Sequence, residues 1–198
     1  MTDDDLRAEL TRLGQPGVEG CEPFMYLDNA KPPKGPKVTT GIGFMLPDVD
    51  AAVRLPWHHV ADGLRASPAE VKAEFFRVSS MRAGLLATRY RGPLALSPED
   101  IEAEGIRRLR LMVIGMQKEF PGFDGFPASA QQCLLDLRWN CGSLMGWHEL
   151  RAACNSVPPN WITASKECTT ANPNGALLRE ARNAWRARCF LAAANLAA

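Results

Sequence analysis

The chain has 198 residues, 46% hydrophobic and 23% charged, with a net charge of +1. That length supports a domain with a sizeable core, and the near-zero charge argues against a dedicated nucleic-acid binder. No apolar run reaches the roughly 18 residues that read as a bilayer-spanning helix, so stable membrane insertion is not expected. The charge is uneven: residues 1–30 carry seven acids and two bases, residues 31–94 ten bases and five acids, and residues 151–198 six bases and two acids. Solvated surface accounts for such a pattern in most proteins; attraction to an anionic polymer is the sharper alternative.

The start, Met1-Thr-Asp-Asp-Asp5, is acidic and lacks the basic-then-apolar order of a secretory signal. Synthesis in the cytoplasm with delivery by other machinery is therefore expected. Asp3 to Leu13 reads as a helix, with acids at its start and Leu6, Leu10 and Leu13 on one face. Gly14, Pro16 and Gly17 stop it. Residues 24–46 are β-like: Phe24-Met-Tyr-Leu27, a loop Lys31-Pro-Pro-Lys-Gly-Pro-Lys37 too proline-rich for a central strand, then Val38-Thr-Thr-Gly-Ile-Gly-Phe44. Ser67-Pro-Ala-Glu70 opens a helix by a capping box, and Ser97-Pro-Glu-Asp100 opens another that runs to about Glu119. Further helices are expected over 128–141, 144–154 and 177–194. The reading is an α+β fold in one domain: a small β-hairpin lobe (14–46), a helical insertion (47–96) and a larger helical lobe (97–198).

Six cysteines stand at 21, 133, 141, 154, 168 and 189, with no C-x-x-C pair. Buried thiols are the plain reading; a disulfide among the last four would suit an oxidising compartment, and the sequence leaves its pairing open. His58, His59 and His148 show no convergent ligand pattern, so neither metal nor cofactor is expected.

The stretch that carries chemistry is Glu19-Gly-Cys-Glu-Pro-Phe-Met-Tyr-Leu-Asp28 followed by Thr39-Thr-Gly-Ile-Gly43. Hydrolysis of a glycosidic bond needs a carboxylic acid to protonate the leaving oxygen and a carboxylate to activate water. Glu19 borders Val18, Phe24 and Met25, apolar neighbours of the kind that keep an acid protonated. Asp28 precedes a polar loop, where a carboxylate stays ionised. The Thr39 hydroxyl could hold a water against it, and Gly41 and Gly43 would let a sugar approach the sheet closely.

These residues resemble the phage-type lysozymes of glycoside hydrolase family 24, whose pattern is Glu-Gly, Tyr-x-Asp, then Thr-x-Gly-x-Gly. Glu19-Gly20, Tyr26-Leu27-Asp28 and Thr39-Thr40-Gly41-Ile42-Gly43 match in order, with the family's seven-residue step from Glu to Tyr. The resemblance implies a lysozyme-like fold, Glu19 as general acid, Asp28 as base-side carboxylate and Thr39 as water-positioning residue, in a single inverting displacement. Tyr26, Gly41 and Gly43 would bind substrate. Leu135-Asp-Leu-Arg-Trp-Asn-Cys-Gly142 is similar to a cleft-lining helix of that family, which implies a substrate role for Asn140. Leu177-Leu-Arg-Glu-Ala-Arg182 is similar to its Arg-rich terminal helix, which implies Arg179, with Arg182 second, as partner of the catalytic Glu. Gly14-Gln-Pro-Gly17 separates the first helix from Glu19, where the family places its Glu at a helix end, and Glu22 is the alternative acid.

The expected activity is that of a monomeric muramidase acting on bacterial peptidoglycan in the periplasm or at the cell wall. Phage lysis and injection as an antibacterial effector are both open as delivery routes, the latter with an inhibitor or immunity protein as partner. The alternatives are an inactive peptidoglycan-binding module and a chitinase- or chitosanase-like glycosidase. Trp57, Trp139, Trp147, Trp161 and Trp185 are read as core rather than sugar platforms.

Overall fold

The computed structural model describes residues 1–28, 35–82, 91–170 and 176–196. Among them lie eight α-helices and one five-stranded antiparallel sheet, a mixed α+β fold. The chain forms two compact units, Leu10–Gly105 and Met1–Glu9 with Ile106–Ala198. The division falls inside two helices, α1 (Asp3–Leu13) and α4 (Pro98–Glu119). No helix among the described residues is long and apolar enough to cross a membrane.

The unit Leu10–Gly105 is built on strands β1 (Glu22–Leu27), β2 (Val38–Gly41), β3 (Phe44–Leu46), β4 (His58–His59) and β5 (Leu94–Ala95), in the order β3-β2-β1-β5-β4. Strands β1 and β2 pair with Tyr26 opposite Thr39 and Leu27 opposite Val38, and a bulge in β1 falls between Glu22 and Tyr26. Thr40 faces Phe44 across a three-residue turn, Gly41-Ile42-Gly43. Both glycines have positive φ, +55° and +68°. A Cβ on Gly41 would stand 2.5 Å from the Phe44 ring. The turn and its packing thus require glycine at 41 for reasons of backbone conformation and space.

Residues 47–96, expected as a helical insertion, supply two helices, α2 (Val49–Val53) and α3 (Pro68–Ser79), and also two strands of the sheet. Strand β5 pairs with β1 through Phe24 and Ala95, and β4 pairs with β5. Two-residue strands carry no alternation for a sequence pattern to reveal. The α3 helix starts where its capping box predicts: Glu70 N–H donates to Ser67 Oγ at 3.4 Å, and Ser67 N–H donates to the Glu70 carboxylate at 2.8 Å. Val71 and Val78 are buried, and α3 packs on β1 and β2. Glu74 on the same face is buried too, held by two 2.8 Å bonds from Arg77. Trp57 is wholly buried and its indole N–H donates to the Ala52 carbonyl at 2.8 Å, a core role as the sequence suggested.

In the other unit, α5 (Ala128–Cys141) and α7 (Trp161–Glu167) pack against α8 (Ala176–Leu196), and α6 (His148–Asn155) packs against α7. Phe126, Trp161 and Phe190 form a ring stack, edge-to-face at 4.9 Å and parallel at 6.0 Å. Beside it lies a buried polar knot. Asp136 of α5 accepts from Arg186 Nε at 2.6 Å and from Arg182 Nε at 3.1 and 3.0 Å. Arg186 also donates to Thr170 Oγ1 and Asn183 Oδ1.

Candidate active site

Gly14 N–H closes the last turn of α1 on the Leu10 carbonyl, after which the chain folds back through residues 15–18. The Glu19 N–H then donates to the Leu13 carbonyl at 3.1 Å, and the Gly20 N–H to Gln15 at 3.2 Å. Glu19 is therefore pinned to the C-terminal end of α1 despite the intervening Gly-Gln-Pro-Gly, through a turn that needs positive φ at Gly17 and Gly20. Its side chain is half-buried.

Asp28 sits at the loop end of the β1–β2 pair, directly after β1. Its N–H donates to the Lys37 carbonyl at 3.0 Å, and its carboxylate accepts the Lys37 N–H at 2.8 Å. These two bonds fix the carboxylate just past Tyr26. Thr39 is buried, and its hydroxyl donates to the Lys37 carbonyl at 3.1 Å. Thr40 donates to the carbonyls of Glu22 and Pro23 at 3.3 and 3.4 Å, and so holds the β1 bulge that turns Glu22 and Tyr26 into register with β2.

The charges of three of these groups act together on the Tyr26 phenol. Burial, then the charges of Glu19, Asp28 and Glu22, push its pKa from 10 up to about 12. Three carboxylates within one ten-residue stretch thus act on one hydroxyl that stays protonated and able to donate. Among them, Glu22 has its own carboxyl raised by burial, against the opposing pull of a Phe24 N–H and of Arg91. Gly41, expected to leave room for a sugar, has that room filled by the Phe44 ring. Gly43, at the last position of the same turn, has the left-handed φ that the turn requires.

The remaining expected residues stand in the helical unit. Asn140 is exposed in the last turn of α5, its amide oxygen accepting from the Cys141 thiol at 3.5 Å. The side chain of Arg179 lies outside the described residues. Arg182, second candidate as partner for the catalytic Glu, is bonded to Asp136 instead. A cavity of about 540 Å³, lined by Glu119, Phe126, Arg151 and Asn155 among others, also belongs to this unit and contains none of the expected site residues. His58 faces Asp100 at 3.6 Å and His59 faces Glu70 at 3.3 Å. No group of metal-ligating side chains gathers among the described residues.

Comparison with family models, curated proteins and solved structures gives no match. The geometry of the site is accordingly the ground for a functional reading, and the Tyr26 phenol gives it a direct test. With Tyr90 changed to Phe, Tyr26 is the sole phenol, and its absorbance should titrate near pH 12 rather than 10. Stability linked to it is present below pH 10 and is lost as pH rises through about 12, because the folded state holds the proton more tightly. Glu19→Gln in that background should move the midpoint down. An unmoved midpoint would mean that Glu19 does not face the phenol.

Proposed function

We propose that the protein is a lysozyme-type glycosidase that cleaves the β-1,4 bond between N-acetylmuramic acid and N-acetylglucosamine in peptidoglycan. The observation that carries this reading is the ordered set of Glu-Gly, Tyr-x-Asp and Thr-x-Gly-x-Gly elements, which matches that family's pattern, and it is supported by the charges of Glu19 and Asp28 both acting on the Tyr26 phenol. In the proposed mechanism Glu19 donates its proton to the leaving glycosidic oxygen. Asp28, fixed by the Lys37 backbone, takes a proton from a water that attacks the opposite face of the sugar. Tyr26 donates a hydrogen bond into the site, and Thr39 supplies its hydroxyl oxygen to the attacking water. The fold would be lysozyme-like, and the site of action the periplasm or cell wall. Release of soluble fragments from purified walls, lost on Asp28→Asn, tests the activity; digestion of chitin oligomers but not walls would favour a chitinase-like enzyme.

A second assignment of the acid rests on Glu22, whose carboxyl is raised by burial as a general acid requires. Glu22→Gln separates the two. Because the raised carboxyl contributes stability below the ordinary carboxylate range and loses it as pH rises through its folded value, the neutral amide should melt higher than the parent at pH 7 and show no gain near pH 3. With Glu19 as acid, this variant keeps wall lysis within about tenfold; a loss of about 10²-fold or more would transfer the acid role to Glu22.

A further inference from the structure

We propose that the cavity of the helical unit binds a small carboxylate with an apolar body and a neighbouring N–H, the chemistry of an acylated amino acid or of an apolar peptide's carboxyl end. The cavity, about 540 Å³, has the size of a small-ligand site. It lies at the C-terminal ends of α4 and α6, wholly within Ile106–Ala198. Its walls divide by chemistry. Pro121, Phe126 and Val157 are the apolar part. The Phe126 ring is fixed edge-to-face on Trp161 at 4.9 Å, and Val157 is 98% exposed, an aliphatic side chain that the fold leaves in water. Lys118, Arg151 and Asn155 supply the polar part.

Charge decides the sign of the ligand. Glu119 also lines the cavity, but its carboxylate is already taken up by Arg138, by the Ser143 hydroxyl at 3.0 Å and by the Leu144 N–H at 2.9 Å. Lys118 and Arg151 pair with no acid among the described residues. The ends of α4 and α6 add partial negative charge, roughly half a unit each, which two whole cations outweigh. Among the described residues the Arg151 guanidinium makes one bond, from Nη1 to the Met145 carbonyl at 3.3 Å, and its Nε is buried without a partner. Buried donors in that state are exceptions in folded proteins, and an anion on the guanidinium fork is the partner that suits it. Asn155 adds the second element of recognition. Its amide Nδ2 donates to the Glu119 carbonyl at 3.3 Å, which leaves Oδ1 to accept from a ligand N–H. The proposal does not rest on the wall-cleaving reading.

Calorimetric titration of the full chain with N-acetylleucine, and with a glycine-rich tetrapeptide ending in leucine, tests it. At least one of the two should bind, and the tighter one identifies the source, free acid or peptide end. N-acetylleucinamide, which lacks the charge, should bind about tenfold more weakly or worse. Isocaproate, which keeps the carboxylate and the branched body but lacks the N–H, should bind about threefold more weakly or worse. Lys118→Met and Arg151→Met should each lower the affinity about tenfold. Lys118 is exposed and makes no side-chain bond among the described residues, so its variant decides should Arg151→Met fail to fold. No binding of either acid, binding of the amide as tight as that of the acid, or affinity unchanged in Lys118→Met would each overturn the proposal.

Discussion

Glu19→Gln should lower wall lysis by about 10²–10⁴-fold, the usual worth of a general acid, while leaving the thermal unfolding of the protein nearly unchanged. The side chain is half-buried, and its backbone N–H, not its carboxylate, makes the 3.1 Å bond to Leu13 that sets the local turn. An amide of the same size therefore keeps the turn and cannot donate the proton. Glu19→Asp should also be severely impaired, because withdrawing the carboxyl by one methylene misplaces it relative to the leaving oxygen. Lysis by Glu19→Gln at more than about a tenth of the parent rate would exclude Glu19 as the acid.

The largest expected loss of stability comes from the helical unit. Asp136 and Arg186 are both fully buried, bonded at 2.6 Å, with Arg182 added at 3.0 Å. Breaking such a buried pair from one side leaves an uncompensated charge and costs about 3–5 kcal/mol. Asp136→Asn should therefore lower the melting temperature by roughly 6–20 °C. Asp136→Leu combined with Arg186→Met removes both charges and should recover much of that loss, since apolar replacement of a buried pair is often close to neutral. Calorimetry of the two single variants and the double variant gives the coupling directly. A drop below about 1 kcal/mol in Asp136→Asn would mean that the carboxylate does not hold the guanidinium.

The legible parts of the sequence were those with a local cause. Ser67-Pro-Ala-Glu70 announces α3, and Ser97 announces α4, with the Asp100 N–H donating to the Ser97 hydroxyl at 3.1 Å. The glycines at 41 and 43 mark the β2–β3 turn. Helix α7 has seven residues, too few for a periodic signal, and only its Asn160 cap, accepting from Thr163 N–H at 2.9 Å, marks it. The Asp136 knot was illegible for another reason. Arg182 reads as a candidate partner for the catalytic Glu and Arg186 carries no local signal, while their carboxylate partner stands 46 and 50 residues upstream. At the site, the identities of Glu19, Tyr26, Asp28 and Thr39 were readable as an ordered motif. The local backbone that positions them was not, because it depends on the Glu19-to-Leu13 backbone bond and on a bulge held by Thr40. Gly41 was readable as a glycine that mattered, but its physical reason is the Phe44 ring.

The most direct test of the central proposal is the chemistry of the ends released from purified peptidoglycan. Fragments labelled by reduction and analysed by mass spectrometry should carry N-acetylmuramic acid at the new reducing end, and NMR of the fresh product should show the α anomer that single displacement leaves. Reducing N-acetylglucosamine, a β anomer on first release, or no new reducing ends from the intact chain would contradict the inverting muramidase assignment.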